Sequence, residues 1–124
     1  MAKLNDVLKE LRNEIGGDMV QLTVCGPDGM GVAQETIILD KAMAEMMTGR
    51  ASMSLMAAKK ATDKLGLGNL EDSIGTTEKA FVLTKFIGDG SYFVSLSVTR
   101  KATLGTVRML LEEYAPKIWD AIPR

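Results

Sequence analysis

Few residues in this chain of 124 could start a reaction. It contains no histidine and one cysteine, Cys25. The missing imidazole removes the usual general base, the usual zinc ligand and the usual proton switch near neutral pH. Cys25 can form neither an internal disulfide nor a CxxC pair. Its neighbours Val24 and Gly26 do nothing to favour a thiolate, so it reads as a buried, inert thiol. Ser52 and Ser54 have no imidazole to activate them, and Lys59, Lys60 and Lys64 sit on what the pattern makes a wet helical face, where an amine stays protonated. Glu71-Asp72 and Glu112-Glu113 are chain neighbours that project in different directions, so neither pair is set to share a proton. The run Gly26-Pro27-Asp28-Gly29-Met30-Gly31 matches neither GxxxxGK[ST] nor GxGxxG and leads into a strand, which makes it a turn rather than a phosphate cradle. Arg100-Lys101 with Arg108 forms a small basic cluster without interleaved aromatics, better suited to the rim of an acidic partner's site than to nucleic acid. No catalytic, cofactor-binding or metal-ligating residue is expected.

Composition agrees. With 46% hydrophobic and 25% charged residues the chain has the make-up of one soluble domain spanning 1–124, long enough to bury roughly two thirds of its unfolded surface without a disulfide or a structural metal. A net charge of −1 creates no field toward nucleic acid or lipid headgroups. No apolar run approaches the ~20 residues of a membrane span, and no apolar signal core opens the chain, so a cytoplasmic protein without membrane insertion is expected.

The elements that would carry these residues can be read in order. Leu4, Val7, Leu8, Leu11 and Ile15 form the stripe of an amphipathic helix over 3–15, ended by Gly16-Gly17. Alternation predicts a strand over 18–25, the Pro27-Asp28-Gly29 turn and a second strand over about 31–36. A long helix follows Asp40 and runs to Leu65, before Gly66 and Gly68. Three strands are then expected over 69–75, 78–87 and 91–99, linked by Thr76-Thr77 and by Gly88-Asp89-Gly90. Phe81, Leu83 and Ile87 fall on one face of the middle one while Ala80, Val82 and Phe86 fall on the other, so the sheet needs cover on both sides. A last helix opens at Thr103 as N-cap and carries Leu104, Val107, Leu111 and Tyr114, with a kink or break at Pro116 and a short terminal turn holding Ile118, Trp119 and Ile122. The expected fold is a three-layer α+β domain of order αββαβββα: one five-stranded antiparallel sheet, the long helix on one face, the terminal helices on the other.

The long helix carries more apolar surface than one sheet can cover. At about 100° per residue, Met43, Met47, Ser54, Ala58, Ala61 and Leu65, flanked by Met46 and Ala57, gather on one side, which is expected to rest on the sheet. A second row, Gly49, Met53, Met56 and Lys60, follows steps of 4, 3 and 4, the register of a helix–helix seam, where flexible Met beside small residues allows close contact. This row is read as a dimer or partner surface. The segment 69–75, with Asn69, Leu70, Glu71, Asp72, Ser73 and Ile74, is short and polar like an edge strand. It could pair with its own copy across a two-fold axis, or be guarded from pairing by Glu71 and Asp72; the residues alone leave both open.

Element order and several local segments together resemble the roadblock/dynein light-chain family, in particular its MglB-type prokaryotic members. The matching segments are the strand-turn-strand over 20–33, the Ala- and Met-rich helix ending Thr62-Asp63-Lys64-Leu65-Gly66-Leu67-Gly68, the stretch through Tyr92 to Val98, and Ala102-Thr103-Leu104-Gly105-Thr106-Val107-Arg108. The resemblance implies a profilin-like sheet and a homodimer in which the long helices pack side by side and the third strands pair. It further implies binding of a Ras-like small GTPase, whose hydrolysis MglB-type proteins stimulate by reshaping the GTPase, without inserting a catalytic residue. It places the dimer and partner surfaces on the Gly49, Met53, Met56 row and the 69–75 edge. The tail containing Pro116 is not a general need of the family, and no Arg here stands out as acting on a nucleotide.

Two further readings differ in class. A small-molecule sensor of profilin- or PAS-like architecture would also combine five strands with helices, though no set of polar groups converges on an apolar pocket in the sequence. A structural subunit of a larger complex is the other.

Overall fold

A computed structural model of the chain describes residues 3–37 and 40–123, the side chain of Lys41 aside. Helix α1 (Leu4–Ile15) buries Leu4, Val7, Leu8 and Leu11 and is closed by Gly16, whose positive φ passes the chain through a single 3-10 turn. Strands β1 (Met19–Cys25) and β2 (Gly31–Thr36) form a hairpin. At its turn the Gly29 amide donates to the Gly26 carbonyl at 3.0 Å and the Met30 amide to Asp28 Oδ1 at 3.0 Å, the Asx bond that makes Asp useful in a corner. Helix α2 (Lys41–Lys64) starts at Asp40, whose Oδ1 accepts the Met43 amide at 2.9 Å.

Strands β3 (Asp72–Thr76), β4 (Ala80–Ile87) and β5 (Tyr92–Thr99) precede helix α3 (Leu104–Ala121). The sheet runs β2-β1-β5-β4-β3, antiparallel throughout, so β2 and β3 are its end strands. This is the expected αββαβββα order and sheet. Gly88 in the β4–β5 turn cannot be replaced cheaply: its φ is +59°, and a Cβ there would run into the Trp119 ring.

Cross-strand register sorts the side chains into two unequal faces. Leu22, Leu96 and Leu83 stand abreast on one, with Val24 beside Val94, and they pack with Val98 and Ile87 against the α1 stripe and against Val107, Leu111, Tyr114, Ala115 and Ile118 of α3. On the other face Cys25 and Phe93 meet Leu55 of α2, with Leu70 and Phe86 at the margin.

Some sequence expectations are corrected. α3 does not break at Pro116 but runs on to Ala121. Tyr114, Ala115 and Ile118 anchor it on both sides of the proline, and exposed Glu112, whose carbonyl loses its helical donor, can turn that oxygen to water. Thr103 occupies the N-cap position without a side-chain cap bond. β3 begins at Asp72 rather than 69, although the Glu71 carbonyl still accepts the Phe86 amide at 3.1 Å.

The largest correction concerns α2. Its sheet side is formed by Ala44, Thr48 and Leu55 with half-buried Ala51, Ser52, Ala58 and Thr62, about a quarter turn from the row expected at 100° per residue. Met43 and Leu65 of the expected row stay 45% and 72% exposed, and Ser54 and Ala61 are exposed too. Apart from Phe93 the sheet beneath presents small and polar residues, Thr23, Cys25 and Ser95, so the helix settles on its own small residues and one leucine, with Met47 half-buried and Met43, Met46, Met53 and Met56 left outside.

Candidate interaction surface

Asp40 fixes where α2 begins, Leu55 fixes its rotation, and the outcome is an apolar row turned to solvent. Met46, Met53 and Lys60 lie about half a turn from Ala44, Leu55 and Thr62. Among the described residues Met53 is the most exposed large apolar one at 75%, and Met43, Met46 and Met56 are each about half exposed. Gly49 and Lys60 are exposed on the same outward side. A Cβ built on Gly49 would meet nothing, so close approach of a second helix is unobstructed there. Leu65 and Leu67, at and beyond the end of α2, are exposed as well. A folded domain seldom turns a row of methionines to solvent unless something docks on it.

At the β3 end of the sheet the expected site residues divide. Asn69 and Glu71 are exposed ahead of the strand, whereas half-buried Leu70 packs at the margin of the Leu55 cluster. Ile74 packs on the large core, and Asp72 pairs with Arg108 Nη2 at 3.1 Å. The Ser73 carbonyl accepts a long bond from Thr84 Oγ1 at 3.4 Å. Of the basic cluster, Arg100 donates to the Thr77 carbonyl at 2.7 Å and lies over the Phe81 ring at 4.8 Å, bracing the β3–β4 turn. Lys101 is exposed in the turn before α3. The three residues therefore do not converge on one point; two of them brace the β3 end of the sheet.

One constellation escaped sequence reasoning. Gln21, Thr23, Ser95 and Ser97 are all buried beneath α2. Gln21 Nε2 donates to Ser95 Oγ at 3.1 Å and to Ser97 Oγ at 3.0 Å, while Thr23 Oγ1 donates to Gln21 Oε1 at 2.7 Å. The alternation in β1 and β5 signals polar residues on one side of each strand, but only the register between strands far apart in sequence brings them together. The network is neutral and internally satisfied, and it holds no nucleophile beside a base.

Burial, with a smaller push from Asp28, drives the Cys25 thiol up to about 12, away from thiolate chemistry. Lys59 pairs with Asp63 at 2.8 Å and Lys85 with Glu112 at 3.0 Å. Among the described residues no group of His, Cys, Asp and Glu could hold a metal ion, and no helix is long and apolar enough to cross a membrane.

This geometry defines a three-layer α+β domain whose long helix and end strands remain open to other molecules. The fold is that of the roadblock/LC7 domains. A roadblock/LC7 domain from Streptomyces avermitilis superposes with a TM-score of 0.84 at 13% identity, over 96% of this chain and 97% of that one. The gliding protein MglB from Thermus thermophilus gives 0.82 at 14% identity over 95% and 87% of the two chains. MglC from Myxococcus xanthus gives 0.68 at 22% identity over 96% and 98%. No family model matches the sequence, and no curated protein matches it. The shared architecture is thus carried by structure at low sequence identity.

Proposed function

We propose that this chain is an MglB-like roadblock protein that acts as a non-enzymatic, cytoplasmic homodimer, binding a Ras-like small GTPase and stimulating its GTP hydrolysis without contributing a catalytic residue. The observation that carries the reading is the methionine face of α2, turned away from its own sheet on a fold shared with MglB. In the dimer, Gly49, Met53, Met56 and Lys60 of two α2 helices pack side by side, and the β3 edges with Asp72, Ser73 and Ile74 lie together across the two-fold axis, Asn69, Leu70 and Glu71 leading into them. Arg100, Lys101 and Arg108 supply positive charge at the rim. Because α2 rests on its sheet through one large side chain, a second helix supplies cover that the protomer lacks.

Sedimentation tests the dimer. Met53→Glu places a carboxylate in the seam and halves the sedimenting mass, while the monomer keeps its helical circular dichroism because Met53 makes little contact within the protomer. An unchanged mass refutes the seam. The partner is tested by mixing the wild-type chain with a Ras-like GTPase from the same genome and following phosphate release: complex formation with faster release is expected, and no complex with any such GTPase refutes the assignment.

A further inference from the structure

β2 forms the end of the sheet opposite β3. End strands avoid unwanted pairing through charge, proline or cover. Each end strand carries one carboxylate held by a helix arginine, Asp72 by Arg108 of α3 at 3.1 Å and Glu35 by Arg12 of α1 at 3.0 Å, and neither carries a proline or a lysine. Beside β2, Met30, Val32 and Ile37 are exposed at 69%, 48% and 41%.

Grooves flank β2 on both faces. One, of about 430 Å³, lies between β2 and α2 and is lined by Met30, Val32, Gln34, Glu45 and Thr48. The other, of about 450 Å³, lies toward the terminal helices and is lined by Leu4, Val32, Ala33 and Ile122 among others. A strand added beside β2 sends successive side chains to opposite faces, so its alternate residues would enter the two grooves in turn. The grooves differ in chemistry. The α2-side groove holds acceptors: the buried Gln34 Oε1 has no hydrogen-bond partner among the described residues, and the Glu45 carboxylate accepts only a long 3.5 Å bond from Gln34 Nε2 among them. No basic side chain is among its described lining residues, and the buried Thr48 hydroxyl is spent on the Ala44 carbonyl at 2.8 Å.

We propose that the β2 edge binds an extended segment of a protein partner as a sixth strand, with a lysine or arginine of that segment seated against the exposed Glu45 carboxylate, Gln34 turning its occluded amide oxygen toward it, and the segment's apolar residues in the opposite groove. Charge selects the occupant. A second copy of β2, Gly31 to Thr36, has no lysine or arginine to offer the acceptor groove, whereas a basic partner does. The six residues of β2 span about 20 Å, enough for a segment of similar length. The α2-side groove reaches Gly49 of the proposed seam, but its acceptors Gln34 and Glu45 are not seam residues, so Met53→Glu can break the dimer and leave them in place.

The probe is a blocked hexapeptide, Thr-Val-Lys-Val-Thr-Val, titrated into the isotopically labelled full chain. Expected are amide shifts and slowed amide exchange centred on 31–36, with shifts at Glu45, and binding weakened about tenfold when the peptide's Lys is replaced by Glu. Glu45→Lys reverses that preference and Gln34→Leu weakens the Lys peptide, both with otherwise unchanged amide spectra; Met53→Glu binds as the wild type does. No shifts at millimolar peptide, shifts centred on 72–76, or equal binding of the Lys and Glu peptides overturns the proposal. So does a self-association that the peptide dissolves, since that would make a second copy the occupant.

Discussion

The two faces of the sheet are built on different rules. Toward α1 and α3, Leu22, Val24, Leu83, Val94, Leu96 and Val98 meet the leucines of two helices, and almost every contact is apolar. Toward α2, the strands present Thr23, Ser95, Ser97 and Gln21, and the apolar part shrinks to Cys25, Phe93 and Leu55. Burial of apolar area dominates stability, so the first face holds the protomer together. The second orients α2 by one leucine and a satisfied polar network while leaving the helix's methionines outside. A face that fastens its helix lightly and exposes that helix's apolar row suits a domain whose second cover comes from another molecule.

Truncations should separate the faces by size. Leu96→Ala, at the centre of the crowded face, is expected to cost about 2–5 kcal/mol in urea unfolding, since rigid neighbours cannot close the void. Leu55→Ala should fall near the lower end of that range, about 2 kcal/mol, because α2 can settle onto the small residues beneath it. Hydrogen exchange should then speed up along α2 while the α1 and α3 amides keep their protection. Equal losses at both sites would erase the contrast between the faces. Gln21→Leu removes the hub of the polar network and should cost about 1–2 kcal/mol, because Thr23, Ser95 and Ser97 are left buried with fewer partners; a neutral result would make the network incidental to the placement of α2.

The smallest effect, absent at neutral pH, concerns Cys25. Its folded-state thiol is pushed up to about 12 by burial first and by Asp28 second. Between the ordinary thiol range and that value the unfolded chain releases a proton that the folded chain keeps, so stability declines as pH rises through this window and is unaffected below it. The urea midpoint should drop between about pH 9 and 10.5, and Cys25→Ser should remove that part of the drop. At about pH 8 a thiol reagent should label the unfolded chain and leave the native one unmodified.

Much of this was legible residue by residue. The α1 stripe, the Asp28-Gly29 and Gly88-Asp89-Gly90 corners, the Asp40 start of α2 and the two apolar sides of β4 all lie where periodicity and turn chemistry place them. The α2 rotation was misread because the hydrophobic period weights methionine above alanine and threonine, whereas the sheet beneath selects for size. Of the surface residues, Gly49, Met53, Met56 and Lys60 are exposed, and their spacing puts them on one side of any straight helix. Leu70 was misplaced as an edge residue, since nothing local reveals that it folds back to the Leu55 cluster.

The sequence by itself determined the elements, their order, the corners between them and the poverty of reactive groups. Those follow from the types of residues that are neighbours along the chain. Only the tertiary structure decided which side of α2 meets the sheet, that β2 and β3 are its ends, and that Gln21 finds Ser95 and Ser97. Each of these depends on strand register between segments more than 70 residues apart and on the size of side chains that meet only after the chain has closed on itself.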